Sequence, residues 1–381
     1  MNAIPILFTS WYVGLGGGET DLISLLEQLD TQHYTPHLLV PYTGQLSDYW
    51  TKQGWHVHQT AFRGATTWFI PKIWEQFPVV KRIEAILQEQ RIQAIHCDYH
   101  TLPLVLPAAK KLNIPVMWTC WGWWFKPKFW QKDFFRSVDY ICARSQAIKD
   151  GFLGDPPFIP SKNIPLVYSG VDIDRFHPDI IDTDIRQTLG ITSEVPLVAM
   201  IARFQNVKGH HIFQDMVRKV VATVPEAQFI VAGEDVHNVS SDAAYKTQIL
   251  ENHHNDPILR DHVTYLGFRD DPENVMAAAD VVVCPSEFES YGRVNVEAMA
   301  VGKPVVSTNQ GGPSETILHN ETGFLVPPRD ADGLARYVIQ LLQDASLREK
   351  MGIASRKRIE TVFSAHATAQ PYIEQLEKWT S

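Results

Sequence analysis

The residues best suited to chemistry follow the apolar run Val281–Cys284, which has the composition of a buried strand. Glu289 would lie in the loop beyond the carboxyl end of this strand, and Glu297 about two turns along the following helix. Each glutamate taken alone is typical of a solvated carboxylate. The N–H groups of the helix start between them would favour a phosphate, so the segment predicts a diphosphate site. The residues of this helix start are Ser290, Tyr291, Gly292 and Val294.

Two basic residues follow another strand-like run, Leu197–Ile201. Arg203 and Lys208 would stand at the carboxyl edge of a sheet, where open α/β folds bind ligands. Fixed positive charges there would stabilise a departing diphosphate. Standing alone, the pair would be typical of two surface cations. Beside the predicted diphosphate site, it indicates a second wall of the same crevice.

A glycine-rich loop, Gly14–Gly18, follows the first strand-like run and opens a helix. A dinucleotide fingerprint would end in glycine or alanine where this chain has Glu19. The second strand, His37–Pro41, also lacks the terminal acidic residue that would hold an adenosine ribose. The loop is therefore weak evidence for NAD, although its glycines would let the backbone approach a phosphate closely.

These motifs resemble the retaining glycosyltransferases of the GT-B fold, the family 4-like proteins also called glycosyl transferases group 1. The mark of that family is two glutamates separated by seven residues, as at Glu289 and Glu297. The resemblance is dense over residues 167–342, and it implies an α/β protein with two doubly wound Rossmann-like domains facing each other across a cleft. Its further motifs are R-F-x-x-x-K-G at 203–209, E-A-M-A-x-G-x-P-V-V at 297–306 and G-G-x-x-E at 311–315.

The resemblance implies that a hexose-type sugar moves from a UDP- or GDP-linked donor to a hydroxyl acceptor, with retention and without a cofactor or metal. The catalytic residues would be Glu289, Arg203 and Lys208. The donor would be bound by Gly16, Gly17, Phe268, Ser290, Tyr291, Gly292, Val294 and Glu297. The sequence Asp172-Ile173-Asp174 has the D-x-D form of metal-dependent transferases, but it coincides with the family's connector motif, so we expect no metal there.

Two other functions fit the same fold, a nucleotide-sugar epimerase and a non-catalytic nucleotide-sugar-binding protein. Both are disfavoured because Arg203, Lys208 and the two glutamates follow the transferase pattern. One departure supports loss of catalysis: Trp121 stands where many relatives have a histidine, and indole cannot exchange protons usefully. His100 is a candidate for the vacant role, although a hydrogen-bonded histidine at a strand end is the simpler explanation.

An aromatic and basic cluster surrounds Trp121, with Trp123 as a further acceptor-side candidate. Three explanations compete: packing of a loop, an acceptor-binding wall, and a surface that rests in lipid headgroups. The acceptor itself, whether sugar, glycan or lipid, is not specified by the sequence. The cluster comprises Trp118, Trp121, Trp123, Trp124, Phe125, Phe129, Trp130, Phe134 and Phe135, with Lys126, Lys128 and Lys132.

Strand-like runs alternate with amphipathic stretches along the chain, which predicts repeated βα units. We expect an acceptor-side domain at 1–178, a donor-binding domain at 179–363, and a final helix at 364–381 that crosses back to the first domain. The other predicted strands are Ile4–Thr9, Ala94–Cys97, Val116–Thr119, Gln228–Ala232 and Pro304–Ser307.

Composition excludes several classes of protein. With 381 residues and 45% hydrophobic residues the chain can fill two cores. The net charge of -9 provides no cationic field for nucleic acid. The four cysteines lie far apart, and no apolar run reaches the length of a membrane span, which favours a cytoplasmic protein with at most a peripheral membrane contact.

Overall fold

The computed structural model describes residues 3–62, 77–121, 126–180, 185–235 and 240–381. The chain forms two compact units, Met1–Gly170 with Thr368–Ser381, and Val171–Ala367. The first boundary differs from the one drawn after residue 178, because the connector is fastened to the second unit. Val171 donates its N–H to Phe363 and accepts a hydrogen bond from Ala365, both at 2.9 Å, and Phe176 is buried.

The first unit is built on a six-stranded parallel sheet in the order β3-β2-β1-β4-β5-β6. Its strands are β1 Ile4–Thr9, β2 Tyr34–Val40, β3 His56–Gln59, β4 Ala94–Cys97, β5 Val116–Cys120 and β6 Tyr140–Ala143. The described helices are α1 Gly17–Leu26, α2 Gln45–Lys52, α3 Phe77–Glu89, α4 Leu102–Leu112, α5 Lys132–Arg136 and α6 Gln146–Leu153, with short 3-10 turns at Phe129–Gln131 and Ser161–Asn163.

The second unit repeats this architecture with the order β12-β11-β10-β7-β8-β9. Its strands are β7 Leu197–Ile201, β8 Gln228–Ala232, β9 Val263–Gly267, β10 Val281–Cys284, β11 Val305–Thr308 and β12 Gly323–Val326. Its described helices are α7 Ile185–Thr188, α8 His210–Val221, α9 Ser240–Asn255, α10 Pro257–His262, α11 Pro272–Ala278, α12 Arg293–Ala300, α13 Pro313–Thr316, α14 Ala331–Gln343 and α15 Ala345–Arg358, with a 3-10 turn at Asn206–Lys208 and a π-helical turn at Ile359–Phe363.

Both sheets reverse their strand order between the first and fourth strands of the unit, at β1/β4 and at β7/β10. Chains leave these neighbouring strands toward opposite sides, which opens a crevice at the carboxyl edge. All strand pairs in both sheets are parallel. The two α/β Rossmann-like halves predicted from the sequence are therefore confirmed.

The final helix, α16 Ala365–Thr380, begins in the second unit and ends in the first. Tyr372 and Leu376 are each 1% exposed and lie in the same core cluster as Leu38 and Trp50. The last helix thus completes the hydrophobic core of the N-terminal unit.

Candidate active site

The centre of the site is an ion pair between two predicted catalytic residues at the switch point of the second sheet. The Lys208 Nζ lies 2.7 Å from Glu289 Oε1, and the side chains are 21% and 13% exposed. Lys208 follows β7, whereas Glu289 follows β10. Neighbouring strands thus bring together two residues 81 positions apart. Partial burial strengthens this attraction relative to that of a surface pair.

One oxygen of the Glu289 carboxylate is hydrogen-bonded within the protein, and the other is available to a ligand. Oε1 also accepts the Ser286 hydroxyl at 2.7 Å, and Ser286 is held in turn because its carbonyl accepts the Thr308 hydroxyl at 2.6 Å. Oε2 makes none of the hydrogen bonds found in the described part of the chain. The residue can therefore bind Lys208 and still accept a hydrogen bond from a ligand.

Two glycines lie directly against the loop that carries Glu289. Gly311 has φ +83°, and a Cβ there would lie 2.0 Å from the Glu289 carbonyl oxygen. A Cβ on Gly312 would lie 2.3 Å from the carbonyl oxygen of Tyr291, and its N–H donates to Glu289 at 2.9 Å. Gly311 and Gly312 therefore let their backbone lie close against the backbone of the Glu289 loop, because a side chain at either position would clash with a carbonyl oxygen.

Arg203 lies in the same β7–α8 loop as Lys208, but its side chain is exposed. Among the described residues its guanidinium has no hydrogen-bond or ion-pair partner, so the structure does not bring this group to Glu289. The loop itself is joined to the site, because Glu287 donates its N–H to Val207 at 2.8 Å. Its end is also fixed: Gly209 has φ +74°, and a Cβ there would lie 2.3 Å from the Pro285 carbonyl oxygen.

The predicted phosphate-binding helix start is the beginning of α12, capped by Gly292 with φ +83°. Tyr291 is buried, whereas Ser290 and Val294 are half-buried. The first-turn N–H groups of any helix lack acceptors within that helix, so this end favours an anion. It directly follows Glu289, so the helix end and the ion pair belong to one loop.

Glu297 lies on α12 and is only 8% exposed. Arg293 donates to Glu297 Oε1 at 2.7 Å, four residues earlier on the same helix. Burial raises the pKa of the Glu297 carboxyl, while Arg293 and Arg175 oppose the shift. The residue is thus a desolvated carboxylate held by a cation rather than a solvated surface group.

Phe268 is 73% exposed just beyond β9, after Gly267 with φ +70°. The adjacent Arg269 forms an ion pair with Asp271 at 2.5 Å. No described contact joins Phe268 to the Glu289 loop, so its contact with a nucleobase stays a prediction.

The glycine-rich loop of the first unit caps α1. Gly16 donates its N–H to Glu19 Oε2 at 3.1 Å, and Gly17 is the first residue of the helix. Burial raises the pKa of the Glu19 carboxyl. Glu19 therefore shapes the loop, and phosphate contacts by Gly16 and Gly17 stay a prediction.

Trp121 lies at the end of β5 with the guanidinium of Arg144 4.6 Å from its ring centroid. Arg144 is 3% exposed, forms an ion pair with Asp21 at 2.5 Å and donates to the Val167 carbonyl at 2.7 Å. The family's histidine position is thus occupied by a ring stacked on a buried cation. Trp123 lies outside the described residues, as do Trp124 and Phe125.

His100 follows β4, where its Nε2 lies 3.4 Å from the Tyr12 hydroxyl. Of the aromatic cluster around Trp121, Trp118 and Phe135 belong to the hydrophobic core, whereas Phe129 is 79% exposed. Core packing thus explains only some members of the cluster.

Asp172 of the D-x-D sequence accepts the N–H groups of Asp174 and Arg175, both at 3.0 Å. Its carboxylate therefore stabilises a local turn. Within the described ranges, no group of three His, Cys, Asp or Glu residues is placed to hold a metal ion. No helix of those ranges is both long and apolar enough to cross a bilayer.

Sequence reasoning missed Ser286, Arg144 and Asp98, polar residues that each have at least one hydrogen-bond partner distant in the chain. Asp98 accepts the Trp11 N–H at 2.8 Å and the Thr101 N–H at 2.7 Å. Nothing in the spacing of these residues marks them, although each follows or ends a strand at a carboxyl edge. For Ser286 and Asp98, the position after a predicted strand was the available signal, whereas Arg144 follows β6, which the sequence did not predict.

Comparisons with known proteins identify the family of the chain. The family model described as "Glycosyl transferases group 1" matches residues 181–358, and "Glycosyltransferase Family 4" matches residues 15–175. The N-acetyl-alpha-D-glucosaminyl L-malate synthase of Bacillus anthracis is 31% identical over 215 residues, which are 56% of this chain and 53% of that protein. This chain thus spans about half the length of that relative.

Two solved structures cover nearly the whole chain. A glycosyltransferase from Rickettsia africae covers 100% of both chains with a TM-score of 0.87 and 21% identity. Anabaena HepE, determined in complex with UDP, covers 98% of this chain and 100% of its own with a TM-score of 0.81 and 22% identity. These likenesses show the GT-B fold, and the two family models together account for most of both units. The chain therefore belongs to the group 1, family 4-like glycosyltransferases.

Proposed function

We propose that this chain transfers a hexose-type sugar from a UDP- or GDP-linked donor to a hydroxyl acceptor, with retention of configuration and without a metal ion. The observation that carries the proposal is the Lys208–Glu289 pair, 2.7 Å apart at the sheet switch point and next to the start of α12. Open α/β folds bind ligands at this point. The UDP complex of HepE supports a nucleotide donor.

The charges define the role of Lys208. As the bond between the anomeric carbon and the phosphate oxygen breaks, its electron pair stays on the diphosphate. Lys208, the exposed guanidinium of Arg203 and the first turn of α12 would then stabilise the added negative charge. A lysine has three donors, so Lys208 can bind a phosphate oxygen while it stays paired with Glu289.

The acceptor hydroxyl attacks the anomeric carbon from the face that the leaving group vacates. A carbon–oxygen bond forms, and the hydroxyl proton passes to the departing phosphate oxygen. No protein base takes part in this step, which is consistent with tryptophan at position 121. Glu289 Oε2 would accept a donor sugar hydroxyl, and Glu297 would bind the ribose.

The experiment is a survey of donors with the full chain. UDP- and GDP-linked glucose, galactose, mannose and N-acetylglucosamine are incubated with and without candidate acceptors, and free UDP or GDP is measured. Acceptor-dependent release, with an α-linked product from an α-linked donor by NMR, is the expected result. Conversion of the donor to its epimer without release indicates the epimerase, and nucleotide binding without any reaction indicates the binding protein.

Retention and metal independence are examined in the same assay. Activity should persist in EDTA, because Lys208 and the helix start supply the charge that a metal would otherwise supply. Loss of activity in EDTA that Mg²⁺ or Mn²⁺ restores would overturn this part of the proposal.

The four cysteines are buried and free, which supports a reducing, cytoplasmic location.

A further inference from the structure

Arg293 is the first residue of α12, the helix start that we assign to the diphosphate, and its side chain contacts Glu297 one turn later. The Arg293 Nε donates to Glu297 Oε1 at 2.7 Å, and the two side chains are 26% and 10% exposed. A charged hydrogen bond that is largely removed from water is stronger than a surface ion pair. Arg293 therefore fixes one oxygen of the carboxylate that we assign to the ribose.

The other oxygen of Glu297 is placed to receive a ligand. Oε2 accepts none of the hydrogen bonds formed among the residues that the structure describes. Ribose hydroxyls are donors, and a hydrogen bond to an ionised carboxylate is stronger than one to a neutral acid. Glu297 should therefore bind a ribose best while it is charged.

Ionisation of Glu297 is opposed by its surroundings. Burial raises the pKa of the carboxyl, Arg293 and Arg175 lower it, and Glu273 of α11 raises it again. Arg175 is shared with other groups, because its Nη2 donates to Glu273 at 2.8 Å and to the Asp270 carbonyl at 3.0 Å. Glu273 thus offsets part of the effect of Arg175, and Arg293 is the cation that acts most strongly on Glu297.

Other basic side chains packed around α12 are bound elsewhere. Arg356 of α15 pairs with Glu360 of the π-helical turn at 2.6 Å. Lys303, which follows α12, donates to a carbonyl of α11 at 2.8 Å, and Arg358 donates to two carbonyls of α13 at 2.8 Å. These cations therefore do not replace Arg293 as the partner of Glu297.

We propose that Arg293 is a positioning residue for the donor nucleotide, which holds Glu297 in its charged form and leaves Oε2 to accept a ribose hydroxyl. This inference rests on the proposed function, in which Glu297 binds the ribose of a UDP- or GDP-linked donor. Without the guanidinium, the pKa of the Glu297 carboxyl should rise further. The carboxyl would then take up a proton at a higher pH, so the loss of nucleotide affinity should be greatest in acid.

The test is the pH dependence of nucleotide binding to the full chain. UDP and GDP affinities are measured by calorimetry at pH 8.5, 7 and 5.5, and each variant is compared with the wild type at the same pH, which cancels the titration of the nucleotide itself. Arg293→Gln should bind about as tightly as the wild type at pH 8.5 and about tenfold more weakly at pH 5.5. Arg293→Lys, which keeps the charge, should follow the wild type.

Two controls separate ionisation from other effects. In Glu297→Gln, position 297 is neutral at every pH, so the addition of Arg293→Gln should cause no pH-dependent loss of affinity. Arg260→Gln removes an arginine of α10 that is 52% exposed and should leave nucleotide binding unaltered. A thermal melt at each pH verifies that the variants are folded.

Two results would overturn the role of Arg293. Equal loss of affinity in Arg293→Gln at all three pH values would show that the guanidinium binds the nucleotide directly or only supports the loop. Wild-type affinity in Arg293→Gln at pH 5.5 would show that Glu297 needs no such partner. Both results require that the wild type binds a nucleotide; if it binds neither UDP nor GDP, the glycosyl-transfer proposal itself fails, and the role of Arg293 fails with it.

Discussion

At the scale of single residues, Lys208 carries the clearest prediction. Lys208→Ala should lower sugar transfer at saturating donor about a hundredfold or more, because it removes a fixed charge that acts on the leaving diphosphate. The measurement is the initial rate of nucleotide release, with circular dichroism to verify folding. Lys219→Ala is the control, since Lys219 pairs with the exposed Asp332 on the surface of the same unit. Turnover within a few fold of wild type in Lys208→Ala would contradict the assignment.

Residues that act through local motifs were predictable from the sequence, and residues that act through distant partners were not. Lys208 and Glu289 stand in recognisable segments beside buried strands, so their convergence follows from parallel-sheet geometry. Arg144 is different, because its partner Asp21 lies 123 positions away. The position of an exposed side chain is also hard to predict. Arg203 matches the motif, yet its side chain has no fixed partner in the described structure.

At the scale of elements, the loop before α12 depends on the glycines beneath it. Gly311→Ala should lower turnover at least about tenfold, because its Cβ would lie 2.0 Å from the Glu289 carbonyl oxygen and displace the carboxylate. Gly190→Ala is the matched control: it has a similar positive φ, +65°, but nothing within 4 Å of the added Cβ. Both variants carry backbone strain, so kinetics compared at equal thermal stability isolate the clash. Equal turnover in the two variants would show that the close approach is dispensable.

The elements that the sequence predicts correctly are those with continuous apolar runs. Strands such as Leu197–Ile201 and Val281–Cys284 are buried on both faces and agree residue for residue. The strands that escaped prediction include β3, His56–Gln59, an edge strand with half-exposed side chains, and β6, Tyr140–Ala143, which has only four residues. Short or polar strands are specified by their neighbours rather than by their own pattern.

At the scale of the whole molecule, buried histidines make stability depend on pH. Burial lowers the pKa of His37 to about 4 and that of His96 and His210 to about 3. The unfolded chain binds these protons near pH 6.5, so the free energy of unfolding should fall as the pH decreases from about 6.5 to about 4. Urea unfolding at pH 7.5, 6 and 5 measures this change.

His37→Gln should reduce that dependence, whereas the exposed His254→Gln should leave it unaltered. Arginines hold the pKa of carboxyls such as Asp256 and Glu287 below its usual value. Protonation of these carboxyls should therefore lower the stability of the protein only near and below pH 4. The contributions of the histidines and of the carboxyls to stability can therefore be distinguished by the pH range in which each one changes. Constant stability between pH 7.5 and 5 would contradict the histidine account.

The end of α16 should matter for the first unit. Tyr372→Ala removes a ring that is 1% exposed and should cost about 3–5 kcal/mol of stability. Limited proteolysis should then cut within residues 3–62 sooner than within residues 240–358. Glu377→Ala, which removes a side chain on the exposed side of the same helix, is the control. Simultaneous cleavage of the two regions would contradict this dependence.

Because residues 368–381 contribute to the core around Leu38 and Trp50, the core of the first unit cannot be complete until these last residues have been synthesised. The ribosome finishes every strand of the second unit before it releases the helix that closes the first. A nascent chain that ends at residue 367 therefore exposes an apolar face where Tyr372 and Leu376 belong. The N-terminal half, although translated first, is therefore the half whose core is completed last.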